Sequence, residues 1–467
     1  MIIYFMKGLR MGNSTFLLLT TLFLACTFSN KSALGQGPKK ISQFESAGLC
    51  DLLIDNTGNY HVVFQERPGN GKPVFIYYSN SANKGVTWSK PVNLSIDNTG
   101  NGAGYPRILQ DGTGNIYAIW KRFGNSKADY PERDPILEGP GGYTMGTIYY
   151  KVLTGGTWSQ QQQINETEQT QNAWFATVTP QGKVAVFWLQ LGADAIKYKF
   201  SGEVYCDYLR VASLNGSSHS AIVDLNKPAS VAPGAYSSTL LQQGGRNLQG
   251  YVDNANLPHL LYADWKDNMQ QLLYFDGKAE RVVYKYPKYG TYNTFNYPAK
   301  LLLDDKGVDH AFLLPDATTL ESEQLWDINL ATNQRTPLVS IDEKGKKIYD
   351  FQASQGPRGS MAITIDVGGA AGGNTEALGA FYEKGKWSKM MLTNNASKEK
   401  FFYKEFDNSP YYGRTYIASL TKYNSQFSSV AWDQAGKKSM IMTLSAYWSS
   451  GGLSTASPSI IFLPIDK

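Results

Sequence analysis

Cysteine and histidine are scarce: the 467 residues include three of the first and four of the second. Neither a disulfide framework nor a Cys/His metal cluster can organise such a chain, since both need several ligands at close spacing. Charge of one sign is not concentrated anywhere either. The 44 basic and 39 acidic residues leave a dispersed formal charge of +5, whereas a nucleic-acid binder carries a basic stripe. Past residue 35, no apolar run approaches the ~20 residues that span a bilayer. Several turns are rich in aspartate, but none matches a defined calcium loop. The glycine-rich stretch Gly368 to Gly373 reads as a connection between strands and has neither a Walker lysine nor a strand–helix context. No metal, phosphate site or cofactor is expected.

What is abundant is tyrosine (30) and glycine (45), the composition of many short strands joined by tight turns. The N-terminus has the parts of an export signal: Lys7 and Arg10, then the apolar run Phe16 to Cys26, then small polar residues. Cleavage after Gly35 makes residues 1–35 a signal peptide and 36–467 the mature chain, expected to be secreted, periplasmic or at the cell surface. A competing cut lies at Leu24-Ala25-Cys26, which has the form of a lipoprotein signal, although Phe23 departs from the usual pattern. After cleavage at Gly35 only Cys50 and Cys206 remain, and two cysteines read more simply as independent thiols than as a bridge.

One phrase recurs along the chain: an apolar strand, a polar turn with Asp or Gly, then a second apolar strand. It runs from Asp51 to Gln65, from Arg107 to Lys121, and again from Phe175, Gly250, Lys300, Asp350 and Ser429. Most copies are followed by a second strand pair, as in Val74 to Asn80 with Thr87 to Leu94. Seven copies of a two-hairpin unit predict an all-β fold, a single β-propeller of seven four-stranded blades, with six or eight as alternatives. We label the strands of each blade A to D. Either the final strand Ser459 to Ile465 or the stretch near Ile41 to Phe44 is expected to close the ring by pairing the termini.

The turn Ser81-Ala82-Asn83-Lys84-Gly85-Val86-Thr87-Trp88 resembles the Asp box of sialidases and related repeat proteins, S-x-D-x-G-x-T-W, with Asn83 in place of the aspartate. Reduced versions recur as Gly156-Thr157-Trp158-Ser159 and Gly385-Lys386-Trp387-Ser388. The resemblance implies a sialidase-like propeller. The box itself is a hairpin device whose Trp packs between blades, and it carries no catalysis. Sialidases of this resemblance use three arginines, a Tyr–Glu nucleophile pair and an aspartate acid/base. Arg107, Arg246 and Arg414 can form a trio, with Tyr412 and Tyr416 beside the last, but no motif places the acid. The catalytic set is therefore not carried over. A sialidase-like glycoside hydrolase or, second to it, a polysaccharide lyase are the enzyme classes left open. His61, His259 and His310 occupy one repeat-equivalent position at the start of strand B, which is a structural signature, while His219 sits in a serine-rich insert without a motif.

Antiparallel succession puts the A–B and C–D turns on one face and the B–C and D–A connections on the other. The long segments Arg122 to Gly146, much of Ser201 to Asn247, and Asn394 to Phe427 all read as connections on the second face. Binding residues are expected there, where Trp rings and charged groups suit a sugar's C–H faces and hydroxyls: Arg107, Trp120, Arg122, Trp174, Gln190, Arg246, Asp264, Trp265 and Arg414, with Glu66, Arg67 and Trp188 nearby. The expected partner is a glycan, an oligosaccharide or acidic polysaccharide. The alternative is a non-catalytic scaffold docking a surface protein, and nucleic acid is not expected.

Overall fold

The computed structural model describes residues 39–44, 46–69, 72–95, 102–123, 146–165, 174–191, 207–226, 248–266, 269–286, 299–315, 323–341, 346–369, 375–392, 419–450 and 453–465. These are strands and turns with no α-helix among them. They build seven sheets in the order anticipated from the repeat. Strands A and B are Ala47–Ile54 and Tyr60–Glu66 in blade 1, Ala103–Gln110 and Ile116–Phe123 in blade 2, and Trp174–Val178 and Val184–Leu191 in blade 3. They are Leu248–Val252 and Pro258–Lys266 in blade 4, and Ala299–Leu303 and Asp309–Leu313 in blade 5. Blade 6 has Lys346–Gln355 and Met361–Gly369, and blade 7 has Ser419–Trp432 and Lys438–Ser450. The A strands touch in cyclic order, and that of blade 7 returns to that of blade 1.

Alternation along each strand gives each sheet two apolar faces, and each face is covered by the next blade. The buried residues accordingly fall into seven clusters, one per interface. Val63, Ile108 and Trp120 pack between blades 1 and 2, and Ile119, Trp174 and Trp188 between blades 2 and 3. Ile41, Phe64 and Phe462 pack between blades 7 and 1. The Trp of each box-like turn packs on the preceding blade. Trp88 meets Phe462 at 5.3 Å, Trp158 meets Tyr78 at 4.9 Å and Trp387 meets Phe312 at 5.8 Å, contacts worth about 0.5–1.5 kcal/mol each beyond their area. In the first of these turns Asn83 does the aspartate's work. Its Oδ1 accepts the Thr87 N–H at 2.9 Å, while Ser81 Oγ accepts that of Gly85 at 2.8 Å.

The A–B turns repeat one chemistry. Asp55, Asp111 and Asp304 each fold back so that one carboxylate oxygen accepts two backbone N–H groups of the turn, at 2.8–2.9 Å. Six residues after each of these aspartates, strand B opens on His61, Tyr117 and His310. His61 Nε2 lies 3.0 Å from Asp55 and Nδ1 lies 2.7 Å from the Tyr78 hydroxyl of strand C. The repeated histidines thus tie the A–B turn to strand C. Successive turns are also stitched together, as by Gly112 N–H to Gly182 O at 2.7 Å and Asn56 N–H to Gln110 Oε1 at 2.8 Å.

Strand A is an unpaired inner edge, and side chains of neighbouring A strands satisfy part of it. Asp51 accepts the Ile108 N–H at 3.0 Å and the Ser429 hydroxyl at 2.7 Å, linking blades 1, 2 and 7. Both termini join in closing the ring. Strand C of blade 7 is Leu453–Pro464, and Lys39–Lys40 is its strand D, Lys39 opposite Phe462. The following residues cross to blade 1, where buried Glu66 accepts the N–H groups of Phe44 at 2.5 Å and Gln43 at 3.4 Å.

Three sequence expectations need correction. Asp207–Asn215, Ser218–His219 and Val223–Asn226 are strands C and D of blade 3, not part of an insert, so His219 belongs to a C–D hairpin. Strand A of blade 7 begins at Ser419, within the stretch read as a connection, and polar composition had hidden it. Gly368 and Gly369 end strand B of blade 6.

Two outcomes test this account. Gly182 has φ +75°, and a Cβ there would stand 2.8 Å from the Gly112 Cα, so Gly182→Ala should cost about 2–4 kcal/mol in chemical denaturation. Burial pushes the Glu66 carboxyl up to about 7 against the pull of its two N–H donors. A raised carboxylate contributes stability that is full below about pH 4.5 and lost as the pH rises through about 7. Melting temperatures of Glu66→Gln should therefore decline less than wild type between about pH 5 and 8.

Candidate functional site

The two ends of the ring differ in how they are built. On the turn face, the A–B turns interlock around the axis through the contacts between Gly112 and Gly182 and between Asn56 and Gln110, and Gln434 reaches the Asn56 carbonyl from blade 7. Blades 5 and 6 join through Gln355 Nε2 to the Leu303 carbonyl at 2.9 Å. The opposite end, the mouth face, receives the B–C and D–A connections. Most of their residues lie outside the described set: 124–145, 192–206, 227–247 and 393–418.

Of the residues expected to bind, Arg246 and Arg414 fall in those segments. Gln190, Asp264 and Trp265 are placed only by backbone register. Asp264 and Trp265 sit opposite Gln271 and Gln270 at the short B–C hairpin of blade 4, and Gln190 sits opposite Tyr208 in blade 3. Trp120 and Trp174, with Trp188, are 1%, 3% and 0% exposed. Their rings fill the interfaces between blades 1, 2 and 3 and present no open face for stacking. Arg122 is half-buried at the mouth end of strand B in blade 2, its guanidinium 5.4 Å from the Tyr149 ring centroid. Arg107 lies at mid-height on strand A, half-exposed, with Nε 3.4 Å from Asp51.

Besides Lys121, which stands between the expected Trp120 and Arg122, sequence reasoning missed the polar groups buried just beneath the mouth. Lys121, beside Arg122, has no solvent exposure, and burial alone brings its ammonium down to about 7. Gln271 is equally buried on strand C of blade 4. Asp350 and Asp366 stand directly opposite one another on strands A and B of blade 6, which puts two carboxylates on one face of the sheet. Asp366 is 6% exposed, and on the same strand Thr364 hydrogen-bonds Ser428 of blade 7. No motif marks these residues. The signal available in the sequence was a charged residue within an otherwise apolar strand, as in Ile365-Asp366-Val367.

No family model matches the chain, and no curated protein matches it. Solved structures do resemble it. One is a protein of unknown function from Dyadobacter fermentans, 11% identical, covering 91% of this chain and 99% of that one at a TM-score of 0.41. Another is an intramolecular trans-sialidase from Ruminococcus gnavus in complex with oseltamivir carboxylate, 11% identical, covering 93% and 99% at 0.40. A third is an α-L-arabinanase from Penicillium chrysogenum complexed with arabinobiose, 9% identical, covering 92% and 99% at 0.40. The propeller itself rests on the strand pairing described above, not on these likenesses.

The most connected titratable cluster lies on the turn face, between blades 4 and 5. Asp309, from strand B of blade 5, accepts hydrogen bonds from the Tyr251 hydroxyl at 2.6 Å, from Tyr274 and from His259 Nδ1 at 2.9 Å. His259 Nε2 reaches Asp253 of its own turn at 3.3 Å. Burial opposes charge on the imidazole, but the two carboxylates outweigh it and raise His259 above its ordinary value. In blade 1 the equivalent His61 has only one carboxylate, and burial lowers it. A raised histidine contributes stability that is complete below about pH 6.5 and lost as the pH climbs through the folded value. Asp309→Asn should lower the His259 pKa in an NMR ring-proton titration and lower the melting temperature more at about pH 5.5 than at pH 8.

Proposed function

We propose that this chain is an exported propeller that binds an oligosaccharide or acidic polysaccharide at its mouth face. The observation that carries the reading is the asymmetry of the two ends. Interlocked turns occupy one, whereas basic and amide groups lie beneath the other, with Arg122 and Lys121 on blade 2 and Gln271 on blade 4. Trp265 is placed at the same end by register. Pyranose hydroxyls and carboxylates need directional partners of this kind, and Arg is suited to a planar carboxylate. The buried tryptophans support the site from below by fixing the strand ends, and they are not assigned to contact the sugar. The Asp350–Asp366 pair brings two carboxylates face to face in the mouth half of blade 6, and it is the pair to test for cleavage.

A glycan array at neutral pH, read with Arg122→Ala and Trp265→Ala beside wild type, should show selective binding that falls at least about tenfold in both variants, while Lys183→Glu on the turn face binds as wild type. Absence of binding to any glycan rejects the reading in favour of a protein-docking scaffold. On a glycan that binds, release of reducing ends abolished by Asp366→Asn would make the protein a hydrolase, and no release by wild type would leave it a binding protein.

A further inference from the structure

Blade 7 does not end where the others do. Strand B leaves the A–B turn at the same point in each blade, as Tyr60 follows the Asp55 turn and Lys438 the Asp433 turn. Among the described residues it runs for 13 in blade 7, against 7 in blade 1, 9 in blade 6 and no more than 9 in any other. Strands A and C of blade 7 lengthen with it, to 14 and 12 residues. At ~3.4 Å per residue the difference carries a three-stranded arm about 13 Å beyond the end of strand B in blade 6, on the mouth side.

Strand register sorts the arm into two unlike faces. Met440 and Met442 of strand B pack in the interface of blades 6 and 7, together with Ile461 and Leu463 of strand C. Alternation carries that face up the arm through Leu444 and Trp448, with Tyr423 and Leu420 on strand A and Ser457 and Thr455 on strand C. None of the residues on this face of the arm is charged. The other face continues from Thr443, whose hydroxyl bonds the Gly48 carbonyl of blade 1, and holds Lys422, Asn424 and Tyr447.

The acid pair of blade 6 stands at the foot of the first face. Thr364 bonds Ser428 of blade 7, and Asp366, two residues along the same strand, shares the Thr364 face with Asp350 opposite it. Strand A of blade 7 is irregular at this level, with a register shift between Gln426 and Ser429, and such bulges bend a strand and re-aim its neighbours beside functional sites.

We infer that the blade 6 side of the arm is the wall along which an extended glycan chain lies, with the Asp350–Asp366 pair at its foot and sugars without carboxylates beside it. This inference rests on the glycan reading of the mouth and narrows it to a chain, as opposed to a single terminal sugar. Tyr and Trp on a strand face alongside Ser and Thr match sugar rings, whose C–H faces stack on aromatics and whose hydroxyls pair with groups that both donate and accept. A polymer with a carboxylate on every unit would meet like charge at Asp350 and Asp366 and find no cation on the arm's face to offset it.

The test is binding of the exported chain to cello-, xylo-, manno- and arabino-oligosaccharides of increasing length, with oligogalacturonides as a series in which every unit is acidic. Affinity for a neutral series should rise by at least about tenfold from its shortest to its longest member, and the acidic series should gain nothing with length. Trp448→Ala, and independently Tyr423→Ala, should abolish that gain at an unchanged melting temperature and bind the shortest member as wild type does, whereas Tyr447→Ala on the other face keeps the gain. Affinity that ignores length, no binding to any neutral series by a chain that binds other glycans on the array, or equal loss in Trp448→Ala and Tyr447→Ala would overturn this inference and leave the mouth site standing. Binding to no glycan of any kind rejects both.

Discussion

Closure of the ring is the constraint on which the rest depends. Each sheet has two apolar faces, so seven sheets in a row would leave one face bare at each end unless the last met the first. Ile41, Phe64, Ala431 and Phe462 bury that seventh interface, and two residues of strand, Lys39–Lys40, complete blade 7 from the other end of the chain. The carboxylate of Glu66 then takes the backbone N–H groups of Gln43 and Phe44 as the chain leaves blade 7 for blade 1. Few contacts hold the closing segment, but they cover the seventh interface, the one that an open ring would leave bare.

Closure also decides how the two faces divide their work. The A–B turns must pass close to the axis, so they are short, rich in glycine and aspartate, and bonded to one another. That economy leaves no room for a binding loop on the turn face. Loop length can grow only at the mouth, where the strands feed into longer connections and where blade 7 carries strand B on to Ser450 while the corresponding strand of blade 1 stops at Glu66.

Repetition and departure from it carry different information. Three blades place a histidine six residues after a turn aspartate, and in blade 1 that is all there is: one carboxylate, one tyrosine hydroxyl and an imidazole held below its ordinary value. In blade 5, Asp327 takes the place of the tyrosine at 2.7 Å from His310, and the ring is raised. In blade 4, Asp309 arrives from the next blade and the tie becomes one between blades. The same residue at the same repeat position is therefore held below or above its ordinary value, according to whether one carboxylate or two face it.

The alternation of apolar strands with Asp-Gly turns pointed to seven blades, with six and eight left open, and determined the position of every A–B hairpin and the structural role of the repeated histidines, because these follow from local periods of two and from turn preferences written within about fifteen residues. The sequence also marked Arg122 and Trp265 for the mouth end by counting strands. It could not show that Trp120 and Trp174 are consumed by interblade packing, since a ring that stacks on a sugar and one that stacks on a neighbouring blade have the same local pattern. Nor could it find strand A of blade 7 in a polar stretch, the facing of Asp350 and Asp366, or the reach of Asp309 to His259. Those were decided by tertiary structure alone, because they depend on cross-strand register and on which blade lies alongside, and both are fixed only once the ring has closed.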